Sequence, residues 1–272
     1  MSLTVKLDEV PYCKDSCELF ERIIDLPFAV LLDSSFPYST AGRYDILTAA
    51  PSADLCGLAT GIEAQQTNSF FEELLTYQRE HYLGTQTVSE DIPFCGGLLG
   101  YISYDCGNRL HGIEHSKNDQ YPNKAPLVQL RAYDWCVIQD HLLRRATLVC
   151  RPTVTAQTRR DLIKRLNSKA TNTQADFHLK TNFTSNFTPQ SYRGAFDRIQ
   201  EYIRAGDCYQ VNLAQRFIAE YQGEPWHAYR ALRSVAAAPF SAFFRQAGDN
   251  AILSLSPERF LSLHGQHVET EP

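Results

Sequence analysis

The stretch from Thr188 to Phe217 constrains the fold most, because its hydrophobic period changes at a single glycine. Thr188 is a good N-cap and Pro189 suits the first helical position. Tyr192, Phe196, Ile199 and Ile203 then repeat at helical spacing, which predicts a helix over 189–205. Gly206 supplies the left-handed stop. Beyond it Tyr209, Val211, Leu213 and Gln215 alternate with Gln210, Asn212, Ala214 and Arg216, which predicts a strand over 208–218. Two amides and an arginine on one face of a strand are costly in a core unless they meet partners. They read equally well as a solvated face.

The chain has 272 residues, 43% hydrophobic and 21% charged, enough to bury a sizeable core in one large or two ordinary domains. Its formal net charge of −5, with no stripe of Lys and Arg, argues against a nucleic-acid surface. Arg159-Arg160 and Lys164-Arg165 read as the wet face of a helix. No basic start leads into an apolar core, and no run approaches the length of a membrane span. The eight cysteines are scattered without a CxxC pair, as expected of reduced core residues in a cytoplasmic protein.

Strand and helix signals are mixed along the chain. Asp15 caps a short helix over 15–24, and residues 28–34 read as a buried strand, with a second near Tyr44–Leu47. Ser69 caps a helix that Gly84 ends. Residues 133–139 and 144–150 read as a hairpin about Asp140-His141. The Ser-, Thr- and Asn-rich stretch 168–187 is expected to link a domain over 1–167 to a second over 188–272. In the second, a helix from Pro225 to about Ala237 precedes strands near 242–247, 251–256, 258–264 and 267. Strand runs separated by single helices predict an α+β fold rather than a doubly wound sheet. The last strand pattern begins at His267 and reaches Pro272 without cap or turn, so a fragment of a longer chain is expected.

Three further stretches join Gly206–Phe217: Pro93–Tyr101 with Tyr104-Asp105, Pro239–Phe243, and Leu253–Phe260. In these motifs, their order and their separations, the chain resembles the chorismate-utilising enzymes, in particular the aminodeoxychorismate synthase component I branch. The resemblance implies antiparallel β-sheets packed together and flanked by helices, as in anthranilate synthase component I. It implies conversion of chorismate and ammonia, supplied by a glutaminase subunit, to 4-amino-4-deoxychorismate on the route to p-aminobenzoate and folate. It implies Mg²⁺ as cofactor, with ligands expected beyond residue 272. Pro272 matches the first residue of a Pro-Ile-Lys-Gly-Thr motif whose lysine attacks the ring. Anthranilate synthase component I, or a non-catalytic module binding tryptophan or a glutaminase, are the alternatives.

By physics alone Glu258, beside Arg259, reads as a solvated or paired surface carboxylate. The resemblance instead makes it the catalytic group facing the ring hydroxyl that departs, which a carboxyl could protonate. The resemblance also implies a tryptophan site from Ser34, from Ala41, Gly42, Arg43 and Tyr44, and from Pro239, Phe240 and Ser241. Those positions read equally as plain core. Ala41-Gly42 stands where relatives carry Tyr-Ser, which removes an aromatic wall and a hydroxyl and leaves Phe36 or Tyr38 to compensate. Gly96-Gly97-x-x-Gly100 lacks the residues of a phosphate loop and reads as close backbone packing. His111 and His115 sit in a loop pattern, and Glu269 and Glu271 face solvent, so no metal site is expected in this chain. No hydrolase triad is identifiable from spacing.

Overall fold

The computed structural model describes residues 3–39, 42–55, 64–82, 85–86, 92–111, 113, 126–169 and 176–271. Ala41, Gly84, His115 and Pro272 lie outside them. In chain order the main elements are β1 (Lys6–Val10), α1 (Ser16–Phe20), β2 (Val30–Asp33), β3 (Tyr44–Thr48), α2 (Ala64–Tyr82), β4 (Gly97–Ile102) and α3 (Tyr104–Leu110). They continue with β5 (Val128–Tyr133), β6 (Trp135–Asp140), β7 (Arg145–Cys150), α4 (Ala156–Leu166), α5 (Pro189–Ala205) and α6 (Pro225–Ala236). The last are β8 (Phe240–Arg245), β9 (Ala251–Ser256), β10 (Arg259–His264) and β11 (His267–Glu271). The chain divides into two compact units, residues 1–173 with 229–272, and residues 174–228.

The first unit is built on a seven-stranded sheet in the order β9-β8-β2-β3-β6-β7-β1, antiparallel at every pairing. Side chains alternate across it, so each strand feeds two layers. On one face Phe243 of β8 meets Phe20 of α1 and Tyr229 of α6, with ring centroids 6.0 and 5.6 Å away. On the other, Val30 of β2 packs with Leu99 of β4 and Tyr133 of β5. Those two strands, with Ala53–Asp54, form a three-stranded antiparallel sheet. Covered on both faces, β6 is buried along its whole length, which explains why Trp-Cys-Val-Ile reads as a continuous apolar run. Each such side chain contributes about 1.5–3 kcal/mol by leaving water. Among the described residues the β10–β11 hairpin pairs only with itself.

The second unit holds α5 and an antiparallel ribbon in which His178–Leu179 pairs with Tyr221–Gln222 and Thr184–Ser185 with Phe217–Ile218. Part of the stretch 168–187 is thus ladder. Thr188 and Ser191 form a reciprocal capping box on α5, and Gly206, with φ 82°, ends it in the left-handed region. An open groove of about 650 Å³ runs along the helix, lined by Phe187, Pro189, Tyr192, Phe196 and Phe217.

Two sequence expectations shift. The strand predicted over 208–218 contracts to Phe217–Ile218, because residues 208–216 have no partner ladder among the described residues. Alternation marks a chain able to pair and does not supply the neighbour. The helix expected from Ser69 begins earlier, at Ala64.

Candidate active site

The ends of β2, β3 and β8 carry a polar layer inside the apolar sheet face. Asp33 closes β2 and is bridged by Arg233 of α6, Nε to Oδ2 at 2.7 Å and Nη2 to Oδ1 at 2.9 Å. The Tyr229 hydroxyl donates to Oδ2 at 2.7 Å. Arg233 also donates to Asp15 Oδ1 at 2.9 Å and to the Phe36 carbonyl at 3.0 Å. Burial works against both charges. It raises Asp33 above the usual carboxylate range, while the bonds that Arg233 donates to Asp33 outweigh burial at the guanidinium and fix it as a cation.

Asp45 of β3 sits one strand over, fully buried. It accepts from the Ser34 amide at 2.6 Å, from His141 Nε2 at 2.7 Å and from the Ser16 hydroxyl. Burial raises its pKa, yet the His141 bond and charge with those donors outweigh it and hold the carboxyl below its ordinary value. His141 is fixed by Tyr12, whose hydroxyl lies 2.9 Å from Nδ1, and by the Phe36 ring stacked 4.3 Å away. Sequence reasoning missed this layer. Its signal was a lone carboxylate closing Val30-Leu31-Leu32 and another inside Tyr44–Leu47, since a charge in an apolar strand needs a partner.

The residues assigned to an amino acid site fall around this layer without converging as one set. Ser34 is 3% exposed and its Oγ has no hydrogen-bond partner among the described residues. Gly42 lies against it so closely that a Cβ at position 42 would stand 2.2 Å from Ser34 Cβ. Ser241 donates to the Ala238 carbonyl at 2.8 Å, as does Ser35 at 2.7 Å. Arg43 is turned onto Asp140, 2.6 Å from Nη2 to Oδ2, and spreads over the Tyr44 ring. Tyr44 packs on the cluster of Val5, Ile92, Cys136, Ile138 and Val149, on the sheet face opposite Asp45. Phe36 is engaged with His141, and Pro239 and Phe240 are half-buried. Ala41 lies outside the described residues.

Glu258 occupies the corner between β9 and β10. Its side chain is exposed and has no hydrogen-bonding partner among the described residues. Its backbone is held: the Glu258 amide donates to Ser256 Oγ at 3.2 Å, and that hydroxyl donates to the Glu258 carbonyl at 2.8 Å. Ser256 faces Phe240 in the β8–β9 ladder. Arg259, the next residue, lies over the Phe240 ring at 5.5 Å and reaches Glu269 of β11 at 3.5 Å.

Among the described residues no three His, Cys, Asp or Glu side chains gather to hold a cation. Gly100 lies against the Gln129 carbonyl, where a Cβ would come within 1.9 Å, so this glycine serves close strand packing. No described helix is long and apolar enough to cross a membrane.

Residues 33–272, which carry the Ser256–Phe260 corner, match the chorismate binding enzyme family, to which the chain belongs. It is 36% identical over 269 residues to aminodeoxychorismate synthase component 1 of Escherichia coli (strain K12), covering 95% of this chain and 57% of that protein. Its counterpart in Klebsiella aerogenes is 34% identical over 277 residues, covering 99% and 60%. The crystal structure of anthranilate synthase component I from Streptococcus pneumoniae TIGR4 superposes with a TM-score of 0.66 at 25% identity, over 85% of this chain and 54% of that one. The α+β fold is therefore that of anthranilate synthase component I. The chain spans less than two thirds of the length of these relatives.

Proposed function

We propose that this chain forms part of an aminodeoxychorismate synthase component I and supplies its acid, Glu258. The observation that carries this is an exposed, unpartnered carboxylate on a backbone-pinned corner, inside a family match that runs through it. In its protonated form the carboxyl gives its proton to the ring hydroxyl of chorismate as the C–O bond breaks, and water departs. Ammonia bonds to the ring, and the proton it sheds restores the acid. The ammonia is delivered by a glutaminase subunit, and the reaction takes place in the cytoplasm. Identities of 34–36% to three proteins called aminodeoxychorismate synthase component 1 favour this product over anthranilate.

Of the positions assigned to tryptophan, Ser34 against Gly42, with Pro239–Ser241 on the neighbouring strand, make the centre of a second subsite, while Arg43 and Tyr44 are engaged away from it. The buried, unpartnered Ser34 hydroxyl supports it, because such a group loses free energy until a ligand satisfies it. Calorimetry of the chain with L-tryptophan tests this; no heat at millimolar ligand removes the subsite.

For the acid, this chain replaces the aligned segment of the Escherichia coli relative, and the chimera is assayed for ammonium-dependent conversion of chorismate. Glu258→Gln should cut turnover about 10²–10⁴-fold. Normal turnover with Gln at 258 refutes the assignment.

A further inference from the structure

An exposed carboxylate with no side-chain partner takes its position from its backbone alone. At Glu258 that backbone leaves the sheet ladder at Ser256 and turns through Pro257, which has no amide hydrogen to anchor it. The Glu258 amide and carbonyl would both be left to solvent at this corner. One hydroxyl takes both: Ser256 Oγ accepts at 3.2 Å and donates at 2.8 Å. This uses the donor and one acceptor site of a single serine. Ser256 in turn stands opposite Phe240 in the ladder, so the corner is referenced to the sheet. Arg259, the residue after Glu258, lies over that same Phe240 ring.

We infer that Ser256 is a positioning residue for the acid: its hydroxyl fixes where the Glu258 carboxyl is presented, without touching substrate. The inference rests on the reading of Glu258 given above and extends it to a residue that needs no contact with chorismate. Displacing an acid by about 1 Å costs on the order of 10²-fold in rate while leaving substrate binding largely intact. A residue important only for folding would instead lower stability and leave the kinetics of the folded fraction unchanged.

Two measurements decide it. In the 272-residue chain, Ser256→Ala should speed amide exchange at Glu258 about tenfold, while Ser256→Thr, which keeps the hydroxyl, should not. In the chimera, Ser256→Ala should lower kcat about 10²-fold with KM for chorismate within about threefold, and Ser256→Thr should restore most of it. Added to Glu258→Gln, Ser256→Ala should have no further effect on kcat, since there is no acid left to position. Unchanged Glu258 exchange in Ser256→Ala overturns the inference whatever the chimera does. Parental kcat in Ser256→Ala beside a crippled Glu258→Gln overturns it while leaving the role of Glu258 standing. Normal turnover in Glu258→Gln removes the role of Glu258 itself.

Discussion

Arg233 grips Asp33 from 200 positions further along the chain, at 2.7 and 2.9 Å, with both side chains withdrawn from water. A paired buried charge of this kind need not raise net stability, but a broken one lowers it sharply.

Arg233→Met should therefore destabilise the first unit by about 3–5 kcal/mol in urea unfolding. Arg233→Lys should lose nearly as much, because an ammonium cannot span both Asp33 oxygens and the Phe36 carbonyl at once. Asp33→Asn added to Arg233→Met should recover part of the loss. A single-mutant cost under about 1 kcal/mol would mean the pair is not closed in solution.

Asp45 gives a pH signature. Its folded pKa is depressed, so its stabilisation is complete above the unfolded value of about 3.9 and is lost as pH falls through the folded value. Asp33, raised by burial, works in the opposite sense and is present in parent and variant alike. Urea midpoints from neutral pH downward should fall less steeply below about pH 4 for Asp45→Asn than for the parent. Equal acid slopes would contradict the assignment.

Ser34 and Gly42 should exchange roles. Gly42→Ser places a Cβ against Ser34 Cβ and should destabilise by about 1–3 kcal/mol. Ser34→Gly removes the obstructing atom, so the double variant should be more stable than the sum of the two single changes. Ser34→Ala keeps that atom and should not rescue Gly42→Ser. Strict additivity by thermal unfolding would show that the two backbones part freely.

In the second unit, Thr188→Ala and Gly206→Ala should each weaken α5 by about 1 kcal/mol, the first through the cap and the second through positive φ. Amide exchange within α5 reads both. No change in either variant would mean the helix ends are not set by these residues.

Where local chemistry decides the outcome, the sequence was enough. Thr188, Pro189 and Gly206 delimit α5 residue for residue, since caps and stops act through neighbouring atoms. The hairpin about His141 and the strands after Ala237 were legible for the same reason. The run 208–216 was not, because pairing needs a neighbour strand that alternation cannot name. The polar layer was hidden by distance: nothing near Asp33 announces an arginine 200 positions away. Glu258 was visible only through the motif that contains it, and the hydroxyl beneath it only through three-dimensional bonding.

The sheet order β9-β8-β2 sets a timetable for synthesis. Strand β2 emerges from the ribosome early, but β8, the strand that flanks it opposite β3, is translated roughly 200 residues later, about 10–40 s at ordinary elongation rates. Throughout that wait the nascent chain carries an open β2 flank and an Asp33 without its cation. Fusions that stall translation before residue 229 should therefore recruit chaperones, and those that release it after β8 should not.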